Sequence, residues 1–226
     1  IIKLFFLLFV LSFGQAAWGA CVVNGTSYKT IGVAGTKVTK SQMRAWTSGD
    51  VSTCDVTDSS LNDMSSLFDG VLSFNQDLSA WDTSSVTNMD RMFYNAINLT
   101  SVSFSNTSSV TNMGRMFTNA SSLTSVSLSD TSSVTNMEYM FFGARAFNQD
   151  IRGWNVDNVE AFGHMFFFAT NMISTFSNTP NWHTTPTAAW FVAETNVPTI
   201  SSVSLNAANN ALTVTFSEGV HNTSGY

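Results

Sequence analysis

The groups in this chain whose kinds and spacing could do chemistry are ten methionines, three histidines, two cysteines and the carboxylates Asp77 and Asp150. Thioethers bind soft metals. The pairs Met89 and Met92, Met113 and Met116, and Met137 and Met140 nevertheless recur beside Phe at helical spacing, where Met fills gaps in a core. His164, His183 and His221 lie far apart and share no zinc-type spacing with the cysteines. Asp77 and Asp150 hold equal positions in separate copies of one repeat, which makes them a periodicity before an acid–base pair. No G-x-S-x-G, H-E-x-x-H or phosphate-binding loop occurs. The expectation is a chain that is not an enzyme and carries no metal or other cofactor.

The elements that position these residues come from an internal repeat. DTSSVTNMDRMF over 82–93 returns as NTSSVTNMGRMF over 106–117 and DTSSVTNMEYMF over 130–141. Degraded copies end at Phe68 and Phe166, so the period is 24 to 25 residues. A fixed period of this size implies units that bury their apolar faces on one another. Met89, Met92, Phe93 and Ala96 stand at i, i+3, i+4 and i+7, as do Met113, Met116, Phe117 and Ala120. That spacing predicts a short helix in each unit, opened by capping-box pairs at Thr87 and Asp90 and at Thr135 and Glu138. Leu99-x-x-Val102-x-Phe104 and Leu123-x-x-Val126-x-Leu128 follow the L-x-x-L-x-L pattern of a leucine-rich-repeat strand. The flanking units instead carry FNQDLSAW over 74–81 and FNQDIRGW over 147–154, one residue longer. The expected fold class is therefore an α/β repeat, a leucine-rich-repeat-like solenoid with one short strand and one short helix per unit.

Composition limits the partners. Charged residues make up 11% of the chain, against about 25% in ordinary soluble domains, and the net charge is −6. Ser, Thr and Asn make up about a third of it, so the surface polarity is uncharged. With nine Lys plus Arg and no basic cluster after the N-terminus, a nucleic-acid partner is not expected.

Residues 1–20 read as a secretory signal peptide: Lys3, an apolar run over 4–13, then small residues. That run is too short to span a membrane. The product is expected outside the cell or at its surface. Cys21 then has two fates. It carries a lipid, or it pairs with Cys54, the one other cysteine, in an oxidising compartment. Sequons at Asn24, Asn98, Asn106, Asn119 and Asn222 mark permitted N-glycosylation positions. Residues 21–56 read as an N-terminal cap with a short helix begun by Thr39 or Ser41. Residues 57–178 hold about five repeats, and 179–198, with Pro180, Trp182 and Trp190, a C-terminal cap and linker. Over 199–226, Val203, Leu205, Leu212, Val214 and Phe216 alternate with polar residues around 206–210, a hairpin pattern. The chain begins without Met and stops within this pattern, so it reads as a piece of a longer protein.

The string FNQDLSAWDTSSVTNMDRMF over 74–93 resembles the repeat of the BspA-like leucine-rich-repeat surface proteins of microbes, and the resemblance extends over 59–176. It implies a solenoid displayed outside the cell, in proteins assigned to adhesion, and neither a catalytic activity nor a ligand. The outer copies depart from the motif at Leu67 and Phe162, which suits terminal capping units. PTISSVSLNAANNALTVTFSEGV over 198–220 resembles the first strands of an immunoglobulin-like β-sandwich of the kind found in adhesins.

If Val102 and Phe104 point inward, then Ser101 and Ser103 point outward beside Ser125 and Ser127, with Asp77, Ser79, Asp150 and Arg152 at the corresponding places of the flanking units. This face is the candidate binding surface. The function expected is non-enzymatic binding or adhesion to an extracellular protein or glycan. Two alternatives stand: a spacer or coat component with no ligand, and the targeting arm of an enzyme whose catalytic domain follows Tyr226. Membrane association is expected only through an anchor outside these residues or a lipid on Cys21.

Overall fold

The computed structural model describes residues 20–175, 186–191, 200–205 and 212–216. Residues 1–19 of the expected signal peptide over 1–20, and Pro180, Trp182, His183, residues 206–210, His221 and Asn222, lie outside them. The described residues up to Phe191 form one compact unit and the C-terminal hairpin another.

The first unit begins with a hairpin of β1 (Val22–Val23) and β2 (Thr26–Ser27). Asn24 and Gly25, at φ 50° and 78°, supply the two left-handed residues that a tight antiparallel turn needs. A disulfide joins Cys21 to Cys54. It occupies the sulfur that lipidation of Cys21 would need. Helix α1 (Lys40–Arg44) starts at Thr39, whose side chain accepts from the Gln42 amide while Gln42 reaches back to the Thr39 N–H, a reciprocal cap. Trp46 lies edge-on against Phe68 and Phe74, with centroids 6.2 and 5.4 Å away. The Trp81 indole donates to Val51 O at 2.9 Å, tying this cap to the first repeat.

From 63 to 168 the chain repeats, but the expected leucine-rich-repeat-like α/β solenoid, one strand and one helix per unit, is not what forms. The segments with helical apolar spacing are ribbons of overlapping turns. In the unit at 88–96, Met92, Tyr94 and Ala96 donate to the carbonyls three residues back, Met89, Arg91 and Phe93. The alternate amides, of Met89, Arg91, Phe93 and Asn95, donate to Asn112, Gly114, Met116 and Thr118 in the next unit. The same four bonds, 2.6 to 3.0 Å long, occur at each of four junctions. A helix would turn all of these donors back into its own unit and leave neighbouring units joined by side chains alone. Two left-handed residues per unit aim the donors outward: Arg91 and Asn95 (φ 57° and 58°), Arg115 and Asn119 (53° and 59°), and their equivalents. The expected capping pairs have other work. Thr87 N–H donates to Asn62 O, and the Asp90 N–H donates to Asn88 Oδ1, closing a side-chain turn.

Strands form in two units only. β3 (Ser101–Phe104) and β4 (Ser125–Leu128) pair in parallel, Ser101 opposite Ser125 and Phe104 opposite Leu128. In the FNQD units a glutamine amide replaces the strand backbone: Gln76 bonds Gly49 O and Val51 N–H, and Gln149 Oε1 accepts from Val126 N–H at 2.7 Å. The sheet therefore stops at two strands.

The apolar spacing does mark the core. Met89, Met92, Phe93 and Ala96 and their equivalents are buried. Phe68, Phe93, Phe117, Phe141 and Phe166 stack in a continuous column, with successive centroids 5.7, 5.7, 5.5 and 6.0 Å apart. Phe74 and Phe147 of the longer units stack on Phe68 and Phe141 at 4.0 and 4.1 Å. Buried Thr83, Thr107 and Thr131 donate their hydroxyls to the carbonyls of Asn106, Asp130 and Asn155 in the following unit. Helix α2 (Thr170–Thr175) follows the last ribbon, and Phe191 and Trp190 pack on Phe162 and Phe166, each at 5.3 Å.

The second unit is an antiparallel hairpin of β5 (Ile200–Leu205) and β6 (Leu212–Phe216), with a register shift between Ile200 and Ser202. The hairpin pattern read over 199–226 thus forms, but the described residues of this unit hold only this one pair of strands, which is a hairpin and not the partial immunoglobulin-like β-segment expected of the fold class.

Candidate functional site

Because successive side chains of a strand point to opposite sides, burial of Val102, Phe104 and Val126 turns Ser101, Ser103, Ser125 and Ser127 outward. These four hydroxyl side chains, with Asn75, Gln76, Asp77, Thr100 and Gln149, line a shallow groove of about 650 Å³. The two FNQD segments bound it, Asn75, Gln76 and Asp77 on the side of β3 and Gln149 on the side of β4. Asn75 Oδ1 accepts from both the N–H and the hydroxyl of Thr100, at 3.1 and 3.0 Å. Asp77 is the one charged residue in the lining. The Ser79 N–H, 2.9 Å from Asp77 Oδ1, and the Ser79 hydroxyl hold that carboxyl below the usual carboxylate range, so it stays ionised.

Five of the eight residues expected on the binding face therefore line one groove. Ser79 acts through Asp77. Asp150 and Arg152 do not join the lining: the Arg152 guanidinium grips Asp150 through Nε and Nη2, at 2.9 and 2.7 Å, and this holds the Asp150 carboxyl below its ordinary value. Sequence reasoning missed Asn75, Gln76, Thr100 and Gln149. The available signal was the N-Q in place of the strand pair T-S: amides stand where a sheet would otherwise continue.

The opposite, turn-built face is committed to itself. Arg91 pairs with Asp69 at 3.0 Å and lies over the Tyr94 ring at 4.3 Å. Arg115 lies over Tyr139 at 5.1 Å, and His164 stacks on the same Tyr at 4.9 Å. Burial pushes the Asp90 carboxyl up despite Arg115 and Arg91 nearby. Asn88, Asn112 and Asn136 each accept from the N–H two residues on, closing turns. Among the sequons, Asn24 Nδ2 donates to Ala45 O and Asn119 Nδ2 to Asn95 Oδ1, so both amide nitrogens are engaged. Asn106 uses Oδ1 to close a turn onto Ser108, and Asn98 is exposed. Among the described residues no group of three or more His, Cys, Asp or Glu could hold a metal ion. Nor is any helix among them long and apolar enough to cross a membrane.

No curated protein and no solved structure matches the chain. A family model does, that of the Mycoplasma protein of unknown function DUF285, over 36–125 and again over 97–197. The two overlapping matches cover the helical cap, every turn ribbon and both strands of the groove, more than half of the sequence, and on that ground the chain belongs to the DUF285 family.

Proposed function

We propose that this is a secreted or surface-displayed protein that binds an extracellular glycan or protein through the strand face and catalyses no reaction on it. The observation that carries this reading is the groove itself: nine polar residues from four successive repeats line it with hydroxyl, amide and carboxylate groups along one side. In that lining no His, Lys or second carboxylate stands with the serines and Asp77 to complete a nucleophile–base or acid–base pair. The leader-like N-terminus, the disulfide between the two cysteines and the likeness of the repeat to BspA-like surface proteins support an extracellular setting.

The test is attachment of the purified protein to surfaces coated with glycans or matrix proteins, against Ser101→Lys with Ser125→Lys. Both serines are exposed, so the fold tolerates the change, and two long cations obstruct the groove. A loss of attachment of at least tenfold at an unchanged unfolding midpoint is expected. Attachment unaltered on every surface would overturn the reading and leave a spacer role.

A further inference from the structure

Building on that reading, we infer that the groove takes a linear β-linked polysaccharide of neutral or amino sugars, laid across the repeats with one ring per repeat, and excludes polyanionic chains. The first support is spacing. Paired chain segments lie about 4.8 Å apart, close to the advance of one pyranose ring in an extended β-linked chain. The register places Ser125 beside Ser101 and Ser127 beside Ser103, so the two central steps along such a ligand meet the same pair of hydroxyls. Four segments, from 75–77 through β3 and β4 to Gln149, line the groove; at that spacing they span about 15 Å, three to four rings.

The second support is the chemistry of the lining. Serine hydroxyls donate and accept alike, as sugar hydroxyls do. With Asn75 Oδ1 held by Thr100 and Gln149 Oε1 by Val126, each of these amides brings its NH2 donors to the groove, one at either wall. Those same bonds argue against an extended peptide. A peptide that adds to a sheet needs an open strand edge, and here side-chain amides take up Thr100 N–H on the outer side of β3 and Val126 N–H on the outer side of β4. The third support is charge: the ionised Asp77 carboxylate repels uronate or sulfate and attracts an ammonium group.

Calorimetric titration of the full chain with cello- and chito-oligosaccharides of one to six rings, and with polymannuronate, a β-linked polyanion, tests this. Affinity should rise with each ring up to about four and then level off, and polymannuronate should not bind. Gln149→Ala should weaken the four-ring ligand by about tenfold, the scale of one good hydrogen bond. Asp77→Asn, an exposed change, should raise the affinity for polymannuronate relative to the neutral four-ring ligand by at least tenfold. Affinity independent of ring number, or polymannuronate bound as well as neutral chains, would overturn the inference. If no sugar binds but a matrix protein does so through Ser101 and Ser125, this inference falls and the binding function stands. If neither binds, both fall.

Discussion

The two long faces of the repeat stack are built from the same units yet solve the problem of joining neighbours in opposite ways. On the turn face, backbone joins backbone at every junction, four bonds each time, whatever the side chains; Arg91, Arg115, Tyr139 and His164 all occupy one left-handed position. On the strand face the joining varies: peptide to peptide between β3 and β4, and amide side chain to peptide at the junctions flanking them. A face whose every junction is already closed by backbone bonds needs no particular surface residue to close it. The strand face, held partly by side chains, stops its own sheet and leaves a bounded, hydroxyl-lined groove. The turn face is a scaffold, and the strand face leaves exposed hydroxyls in its groove.

The largest way to break this division is in the column that serves the turn face. Phe117→Ala removes the central ring, which stacks at 5.7 and 5.5 Å on its neighbours. It should cost about 3–5 kcal/mol, read by urea unfolding, and groove variants should not approach that figure. Replacing both Cys21 and Cys54 by Ser opens a loop with a sequence separation of 33 and should cost roughly 3–4 kcal/mol in the chain-entropy account. The amides of the cap, including Val51, should lose hydrogen-exchange protection before the repeats do. Thr107→Val keeps shape but strips the Asp130 carbonyl of its buried donor, at about 1–3 kcal/mol. Ser103→Lys with Ser127→Lys, on the strand face, should change stability by about 0.5 kcal/mol or less.

Acid should act first on the cap. Burial works to raise the Asp55 carboxyl, but Lys29 at 2.6 Å and the hydroxyl and N–H of Thr57 outweigh it and hold it at about 2, against an ordinary 3.8. A depressed carboxyl contributes its stability above the unfolded value and loses it as the folded group takes up its proton. The unfolding midpoint should therefore drop as pH falls from about 4 to about 2, and Asp55→Asn should flatten that part of the curve.

Burial was legible in the sequence and backbone geometry was not. The spacing of Met89, Met92, Phe93 and Ala96 picked out the buried side chains, because a ribbon of overlapping turns also returns every third and fourth residue to one side. It did not distinguish that ribbon from a helix. The distinguishing signal was present at one position, where Gly70, Asn95, Asn119 and Gly143 recur. These are residue types that accept a left-handed conformation. At Gly143 a side chain would also collide with Asn119 Oδ1. Alternation along 101–104 and 125–128 gave the outward serines, whereas Gln76 and Gln149 act through side chains that stand in for a strand, which no periodicity encodes.

The central claim, that the turn face is held between units and not within them, reduces to one hydrogen bond. Scalar coupling across hydrogen bonds, measured by NMR from the Phe93 amide nitrogen, identifies the carbonyl that it donates to. The structure predicts coupling to the carbonyl carbon of Met116 in the next unit, 3.0 Å away. Coupling to the carbonyl carbon of Met89, four residues back, would mean a helix in each repeat and contradict the account.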